Sequence, residues 1–309
     1  MSVSLKVNLL GKEMAGPVVG ASGTFGFGEE YAGMVDLKKL GGISGKGITL
    51  IPKAGNQGAR LLETPSGLIN SIGLQNPGVR HFIDNELPAM RAALAGTDTA
   101  ILANLGGGCI EDYEEGCELL CRAGVDFVEL NISCPNVKHG GIAYGVKPES
   151  AKEVVSRVRR VCSRPLIVKM SPQAEDIGRM AAACVEAGAD ALSLVNTFQA
   201  CAIDLEKRRP VFNNIFAGLS GPAVRPIALR MVWQAVGAVD GAVPVIGLGG
   251  IASGEDALQF IMAGAAAVQV GTANFADPHA CQRITREIDQ WMDAHGVNSL
   301  DEIRGCARG

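Results

Sequence analysis

Cys134 is the residue of this sequence best suited to acid–base chemistry. It stands in a loop between two carboxamides, Asn131 and Asn136, directly after the apolar segment 125–130. That segment is typical of a buried parallel strand, and Pro135 prevents it from continuing. A thiol with an ordinary pKa of about 8.5 acts as a base when a polar or cationic site stabilises its thiolate. The pattern therefore favours Cys134 as a base at a strand end.

Two lysines lie in similar positions at the ends of apolar segments. Lys46 follows the segment that begins at Gly42, and Lys169 ends the segment that begins at Leu166. A buried ammonium bears a desolvation cost, which is tolerated when the group meets an anion or an electron-rich ring. We therefore expect both lysines to contact a bound ligand, with a structural salt bridge as the alternative.

Carboxamides recur at the ends of apolar segments and in loops. Each carboxamide offers a hydrogen-bond donor and an acceptor together. A ring of them therefore matches a planar heterocycle with alternating N–H and C=O groups, such as a pyrimidine or an isoalloxazine. Loops also use asparagine for turns, so a single one would carry little information. The five residues concerned are Asn70, Asn104, Asn131, Asn136 and Asn196.

The elements that would position these residues alternate between strands and helices. Eight short apolar segments each precede small or polar residues rather than a hairpin turn. Eight such units close a (β/α)8 TIM barrel, which usually takes about 250 residues. A doubly wound open sheet is the alternative, because the number of strands does not prove closure. The predicted strands lie near 18–21, 42–48, 100–104, 125–131, 166–170, 191–196, 243–247 and 267–271, and the predicted helices span 111–123, 148–162, 174–187, 223–239 and 254–263.

Three segments exceed what a minimal barrel needs. The first precedes Pro17 and forms an N-terminal extension. Residues 52–78 and 197–222 each follow a predicted strand, so they should crowd the carboxyl-terminal mouth of the barrel as lids over a ligand. No linker interrupts the remaining elements. The sequence therefore predicts a single domain over residues 1–309.

Glycines follow the seventh and eighth predicted strands, where barrels commonly bind phosphate. They occur in the segments 247–250 and 271–272. Glycines let backbone N–H groups approach an anion closely, and a following helix N-terminus adds a favourable dipole. Tight turns are the alternative use, but the joint occurrence favours a phosphate site. A dinucleotide site is not expected, because no acidic residue follows about 20 residues later to bind a ribose.

Composition places the chain among globular proteins without a general affinity for polyanions. Its 309 residues are 47% hydrophobic, which is ample for a large core. The net charge of −4 supplies no attraction for nucleic acid or an anionic membrane. We find neither the pattern of a signal peptide nor an apolar run of about 18 residues, so we expect a cytoplasmic protein.

The cysteines follow neither a disulfide pattern nor a metal-binding pattern. Nine cysteines is an odd number, and none belongs to a CxxC pair. We therefore expect no disulfide framework, metal or iron–sulfur cluster on this chain. Cys117 and Cys121 are four residues apart on a predicted helix, where packing is the more common role of two thiols.

Together these motifs resemble the dihydroorotate dehydrogenase family, specifically the class 1B catalytic subunit of its NAD-dependent members. The resemblance spans nearly the whole chain. Its most specific parts are the segments 21–31, 70–76, 131–141 and 246–251. In that family an FMN lies across the mouth of a TIM barrel, so the resemblance implies one FMN per chain.

The resemblance also implies which residues bind the cofactor and the substrate. The phosphate of FMN would be held by Gly221, Gly249, Gly250, Gly271 and Thr272. The rest of the cofactor would be lined by Ser22, Lys46, Gly47, Asn104, Asn131, Lys169 and Val195. The substrate would be held by Lys46, Asn70, Ser71, Ile72, Gly73, Leu74, Asn131, Asn136, Asn196 and Thr197.

A reaction and an electron acceptor follow from the same resemblance. Cys134 would remove a proton from C5 of (S)-dihydroorotate while hydride passes from C6 to N5 of FMN, giving orotate for UMP synthesis. Lys46 would stabilise negative charge on substrate and flavin, and Lys169 would stabilise the reduced flavin. Electrons would pass to NAD through a separate subunit bearing FAD and a [2Fe-2S] cluster. The assembly would be a heterotetramer built on a dimer of catalytic chains.

Three other functions stay open at this point. The loop 136–141 resembles the NAD-linked class, and a fumarate-using dihydroorotate dehydrogenase is the alternative within the family. A flavin barrel similar to tRNA-dihydrouridine synthase should carry a basic RNA-binding surface, which this acidic chain does not show. A non-redox barrel that binds a phosphorylated metabolite would have no flavin absorbance.

Overall fold

Eight parallel strands close into a barrel in the computed structural model of the protein, which describes residues 4–133 and 142–309. Each strand pairs with the next along the chain, and the eighth pairs with the first. The predicted (β/α)8 barrel is therefore confirmed, and the open sheet is excluded. The barrel strands, numbered first to eighth below, are Val18–Gly20, Gly42–Ser44, Ala100–Leu105, Phe127–Asn131, Leu166–Lys169, Ala191–Leu194, Val245–Leu248 and Ala267–Val270.

Helices follow the strands and form the outer layer. In chain order they are Glu29–Ala32, a continuous helical stretch made of Val79–His81, Phe82–Glu86 and Leu87–Ala93, then Ile110–Ala123, Ile142–Val146, Pro148–Val161, Ile177–Glu186, Arg225–Val239, Gly254–Met262, Ala273–Ala276 and Ala280–Ala294. Short 3₁₀ turns occupy Leu37–Lys39, Pro222–Val224, Leu300–Glu302 and Cys306–Arg308. Across the described ranges, no helix has the length and apolarity that crossing a membrane would take.

Local chemistry explains where the predicted boundaries were wrong. The helix predicted to start at residue 174 begins at Ile177, because the Asp176 side chain caps it by accepting a hydrogen bond from the backbone N–H of Arg179. The seventh strand begins at Val245 rather than at residue 243, since Pro244 has no N–H to donate to a neighbouring strand. Patterns of apolar residues thus located the elements, and capping and proline set their ends.

The barrel strands are buried along their whole lengths. Every residue of the third to eighth strands is buried, because side chains on one face fill the barrel and those on the other face pack under the helices. This two-sided burial is why the strands read as continuous apolar segments. The few polar residues among them must therefore find partners inside the barrel.

The N-terminal extension is a hairpin of strands Val7–Leu9 and Lys12–Met14. Its apolar side chains Val7, Leu9 and Met14 join the main core. The Lys12 ammonium lies 3.2 Å from a carboxylate oxygen of Asp126, just before the fourth strand. The hairpin therefore packs at the amino-terminal end of the barrel, opposite the mouth.

The two predicted lids pair with each other in one antiparallel sheet, which we call the lid sheet. It contains the strands Leu61–Thr64, Gly67–Asn70, Phe216–Ser220 and Phe198–Cys201 in that spatial order. The central pairing places Asn70 opposite Gly218. Ile69, Phe212 and Ala217 form a small separate core beneath it. A further two-stranded ribbon joins Ile203–Asp204 to Arg209–Pro210.

Burial of the cysteines predicts their reactivity in the native protein. Iodoacetamide should label the exposed Cys109, Cys201 and Cys306 within minutes, while Cys117, Cys121, Cys162, Cys184 and Cys281 should react only after unfolding. Thiolates are the reactive species, and burial raises the pKa of the Cys184 thiol to about 12. Peptide mass spectrometry before and after urea treatment measures this, and rapid native labelling of Cys184 would contradict the packing described above.

Candidate active site

One cavity opens at the carboxyl-terminal mouth of the barrel, beneath the lid sheet. Its volume is about 880 Å³. Strand ends form its floor and one wall, and the lid strands Leu61–Thr64 and Gly67–Asn70 contribute the opposite wall. Ligand sites of barrel enzymes lie at this end, where loops from several strands converge. The cavity is therefore the candidate active site.

A buried carboxylate, Glu129, lies beneath the cavity floor. Its Oε2 accepts hydrogen bonds from Ser44 Oγ at 2.7 Å and from Asn104 Nδ2 at 2.7 Å. Its Oε1 accepts from Ser193 Oγ at 2.8 Å and from Gln269 Nε2 at 2.7 Å. These donors come from the second, third, sixth and eighth strands. One carboxylate therefore binds side chains from around the whole barrel.

Lys169 lies beside this carboxylate. Its side chain is buried at the end of the fifth strand and lines the cavity, with Nζ 3.8 Å from Glu129 Oε2. Burial alone would raise the pKa of Glu129, but the charge of Lys169 and the hydrogen bonds from Ser44, Asn104 and Gln269 outweigh it and hold the pKa below its ordinary value. Glu129 is therefore ionised and Lys169 has an anionic neighbour in the protein.

Three carboxamides at the mouth are linked by hydrogen bonds, either directly or through Ser133. Asn131 donates through Nδ2 to Asn104 Oδ1 at 3.1 Å, and its own Oδ1 accepts from the backbone N–H and the hydroxyl of Ser133 at 3.2 and 2.9 Å. Asn196 donates to Ser133 Oγ at 2.9 Å. Asn70, on the lid, donates to the carbonyl of Gly218 at 3.2 Å. Of the five predicted carboxamides, Asn104, Asn131 and Asn196 thus form a connected network on the floor, Asn70 lies above it, and Asn136 falls outside the described residues.

Two glycines after the seventh strand occupy positions that exclude any side chain. Gly249 and Gly250 have φ of +127° and +75°. A Cβ on Gly250 would lie 2.7 Å from the carbonyl oxygen of Gly221 and 2.7 Å from the backbone nitrogen of Arg225. The backbone alone therefore lines this part of the cavity, as an anion-binding loop requires. Across the cavity, Thr272 donates a hydrogen bond to Ser220 Oγ at 2.8 Å.

Most of the predicted site residues that the structure describes line this cavity. They are Ser22, Lys46, Gly47, Asn70, Ile72, Gly73, Leu74, Asn131, Lys169, Val195, Asn196, Thr197, Gly221, Gly249, Gly250, Gly271 and Thr272. Two predicted residues lie behind its surface: Asn104 is buried in the network described above, and Ser71 is buried where its hydroxyl accepts a hydrogen bond from Asn56. Cys134 and Asn136 fall outside the described residues.

Several residues of the site were not predicted from the sequence. Glu129 and Gln269 interrupt apolar strands and face the barrel interior, and Arg283 lines the cavity while paired with Asp277 at 3.0 Å. A signal for Glu129 exists, because residues two apart on a strand share a face and Asn131 was already a candidate. Arg283 comes from a surface helix and offers no comparable signal.

Three buried thiols lie together in the outer layer, away from the cavity lining. Cys121 Sγ is 4.0 Å from Cys117 Sγ and 3.7 Å from Cys162 Sγ. Within the described ranges this is the one group of three side chains of metal-ligating type. The sequence predicted packing for the first two and did not anticipate the third. Packing stays our interpretation of all three.

Fold and site together define a (β/α)8-barrel enzyme whose cavity is walled by lysines, carboxamides and glycine turns. A sequence model of the family described as dihydroorotate dehydrogenase matches residues 4–292. Identity is 54% to the dihydroorotate dehydrogenase B (NAD(+)), catalytic subunit, of Petrotoga mobilis, over 98% of this chain and 99% of that protein. The protein of the same name from Geotalea daltonii is 52% identical, with 98% of each chain covered. The chain belongs to the dihydroorotate dehydrogenase family.

A solved structure supports the fold independently. The crystal structure of DHODH in complex with ferulenol from Eimeria tenella matches with a TM-score of 0.82 over 99% of this chain and 89% of that chain. Its sequence identity is 22%, so this likeness bears on the fold alone. The resemblance to class 1B catalytic subunits, expected from the motifs, is confirmed by the relatives named above, and with it the class of oxidoreductase.

Substitution of Gly250 tests the glycine turn. Gly250→Ala should lower the free energy of unfolding by more than the ~1–2 kcal/mol that a left-handed conformation costs an L-residue, since the added Cβ also meets backbone atoms. Gly241 has the same φ of +75°, and an added Cβ there would have nothing within 4 Å, so Gly241→Ala is a matched control. Urea denaturation measures both, and equal losses would contradict the close packing at Gly250.

Proposed function

We propose that this chain catalyses the flavin-dependent oxidation of (S)-dihydroorotate to orotate in pyrimidine biosynthesis. One observation carries the proposal: the buried Lys169 and the carboxamides of Asn70, Asn131 and Asn196 line one cavity beside a glycine-walled turn. Carboxamides match the alternating N–H and C=O groups of a pyrimidine, and an ammonium matches its carboxylate. Membership of the dihydroorotate dehydrogenase family supports the same substrate.

The residues of the cavity fit FMN. A volume of about 880 Å³ lies within the roughly 300–1,000 Å³ of cofactor sites. Gln269 lines the cavity, and its buried Oε1 has no hydrogen-bond partner among the described residues, so an acceptor is free for an N–H or O–H group of a ligand. The phosphate would be held by Gly221, Gly249, Gly250, Gly271 and Thr272, and the remainder by Ser22, Lys46, Gly47, Asn104, Asn131, Lys169 and Val195.

Oxidation of dihydroorotate removes a proton from C5 and a hydride from C6, which leaves a C5=C6 double bond. FMN held in this cavity would supply the acceptor for that hydride. Cys134 would accept the C5 proton as its thiolate, and general-base catalysis of this kind typically contributes about 10²–10⁴ in rate. Lys46 would hold the substrate and stabilise negative charge, while Lys169 would stabilise negative charge on the flavin.

Substrate binding would fall to residues on both sides of the cavity. Asn131, Asn136, Asn196 and Thr197 would contact the pyrimidine from the floor and the adjoining loops. The segment 70–74, which contains Asn70, Ser71, Ile72, Gly73 and Leu74, would contact it from the lid. Since the barrel floor and the lid both contribute, substrate would exclude water from between them.

The two electrons must leave the chain after each turnover. We propose that they pass to NAD through a separate subunit with FAD and a [2Fe-2S] cluster, in a heterotetramer built on a dimer of catalytic chains. The names of the relatives, NAD(+)-type catalytic subunits, support a partner of this kind. We further propose that residues 1–309 act as a single FMN-binding domain, and the cytoplasmic location stays a prediction.

Anaerobic spectroscopy tests the proposed reaction. Purified protein should show flavin absorbance, lose it on mixing with dihydroorotate, and recover it with NAD only when the partner subunit is present. Recovery with fumarate alone would assign the chain to the fumarate-using class. Absence of flavin would favour a non-redox barrel, and bleaching by NADPH with reduction of tRNA uridine would favour a tRNA-dihydrouridine synthase.

Replacement of the thiol tests the base. Cys134→Ala should keep flavin and orotate binding but lower kcat by about 10²–10⁴, because the C5 proton loses its acceptor. Cys306→Ala removes an exposed thiol and should turn over like the wild type. Steady-state kinetics with equal flavin loading measures both, and full turnover by Cys134→Ala would remove that residue from the mechanism.

A further inference from the structure

We propose that Glu129 is a positioning residue that determines which way the carboxamides and the ammonium of the cavity face. The inference rests on the proposed function, because it concerns how the floor of that site binds a pyrimidine beside a flavin. Glu129 itself does not line the cavity. It acts through Asn104, Asn131 and Lys169, and it lies outside the set of residues predicted to bind ligand.

The Glu129 carboxylate is saturated with donors. A carboxylate offers about four lone-pair positions and no proton, and here each oxygen accepts two hydrogen bonds. A glutamine at this position would present one oxygen and one NH₂ group. Whichever way that amide turned, its NH₂ group would face one serine hydroxyl, which can turn to accept, and one amide NH₂ group, which cannot accept. The four donors in their present orientations thus match a carboxylate, and a glutamine would force at least one neighbouring amide to turn.

The orientation of the carboxamides follows from this acceptor. Because Glu129 only accepts, Asn104 must turn its NH₂ group toward it and its Oδ1 toward Asn131. Asn131 must then donate to Asn104, and the Oδ1 of Asn131 therefore faces Ser133. The backbone N–H of Ser133 can only donate, and Glu129 can only accept. The hydrogen bonds that run from Ser133 through Asn131 and Asn104 to Glu129 are therefore fixed in one direction from both ends. The amides cannot flip singly without placing two donors or two acceptors against each other.

The same carboxylate holds the lysine. Lys169 Nζ lies 3.8 Å from Glu129 Oε2, and both side chains are buried. An ammonium that must stabilise negative charge on a ligand needs a fixed position, since its side chain is long and flexible. Glu129 supplies that position and also offsets part of the positive charge. Its loss should therefore leave Lys169 more mobile and the cavity more electropositive.

Glu129→Gln is the test, with Asp126→Asn as the matched control. Asp126 precedes the same strand at the opposite end of the barrel, where it accepts from the backbone N–H of Ile101 at 2.8 Å and pairs with Lys12. Both substitutions remove one carboxylate without changing side-chain size. The readouts are the dissociation constant of orotate, from the flavin absorbance change, and the reduction potential of bound flavin. Thermal midpoints of the FMN-loaded proteins are measured alongside.

In Glu129→Gln we expect orotate affinity to fall roughly tenfold or more, because misoriented polar groups would then meet the ligand. The flavin potential should become more positive, since the negative charge of Glu129 beneath the cavity is removed. Asp126→Asn should change neither quantity. A variant with unchanged orotate affinity or an unmoved potential would overturn the proposal. If the wild type itself bound no flavin or orotate, the proposed function would be wrong. Failure of the proposed function is thus distinguishable from failure of the role proposed for Glu129.

A second measurement needs no substitution and covers the case in which Glu129→Gln does not fold. Neutron diffraction from deuterated crystals of the wild type with orotate would locate the amide deuterons. We expect those of Asn104 to point at Glu129 and those of Asn131 to point at Asn104. A reversed amide at either residue would overturn the proposal.

Discussion

A charged carboxylate persists inside a barrel only when donors surround it, and this constraint organises the mouth of the protein. Glu129 contacts side chains from the second, third, fifth, sixth and eighth strands. Those strands approach one point only because the sheet closes on itself. In an open sheet the second and sixth strands would lie far apart. Glu129 can therefore receive all of its hydrogen bonds only when the barrel is closed.

The lid sheet depends on a second constraint, which is backbone pairing between distant segments. The strands Gly67–Asn70 and Phe216–Ser220 are about 150 residues apart in sequence, yet their register sets the height of Asn70 above the cavity. A small core of Ile69, Phe212 and Ala217 supports this sheet, and further apolar side chains pack around it. The floor is thus held by the large main core, and the lid by a small core together with strand pairing. A ligand can enter and leave such a site when one wall opens more easily than the other, and the less supported wall here is the lid.

The sequence predicted the barrel well, because strands buried on both faces leave continuous apolar segments and helices leave amphipathic ones. It also predicted that segments after the second and sixth strands lie over the mouth. Pairing of those two segments was not predictable, since each reads as an irregular loop until the other is beside it. The spacing of two residues to Asn131 placed Glu129 on the same face of the strand, but that spacing did not show what Glu129 binds. Its role depends on hydrogen-bond and ion-pair partners on five other strands, all of them distant from it in sequence.

The sequence pointed to more of the residues that line the cavity than of the residues that support them. Lys169 and Asn131 stand at strand ends, where position alone suggests function, and both line the cavity. The salt bridge considered as the alternative for Lys169 also exists, with Glu129. The two interpretations are compatible, because one ammonium can be held by a carboxylate below and still line the cavity above.

Ser133 connects this fixed floor to the loop that follows it. Its backbone N–H and its hydroxyl both donate to Asn131 Oδ1, and its hydroxyl accepts from Asn196. The chain therefore leaves the fourth strand from an anchored residue, one peptide unit before Cys134. A base must meet its proton within hydrogen-bond reach. The network that orients the carboxamides thus also holds the residue that precedes Cys134. In the proposed mechanism, substrate binding and proton removal would therefore both depend on this network.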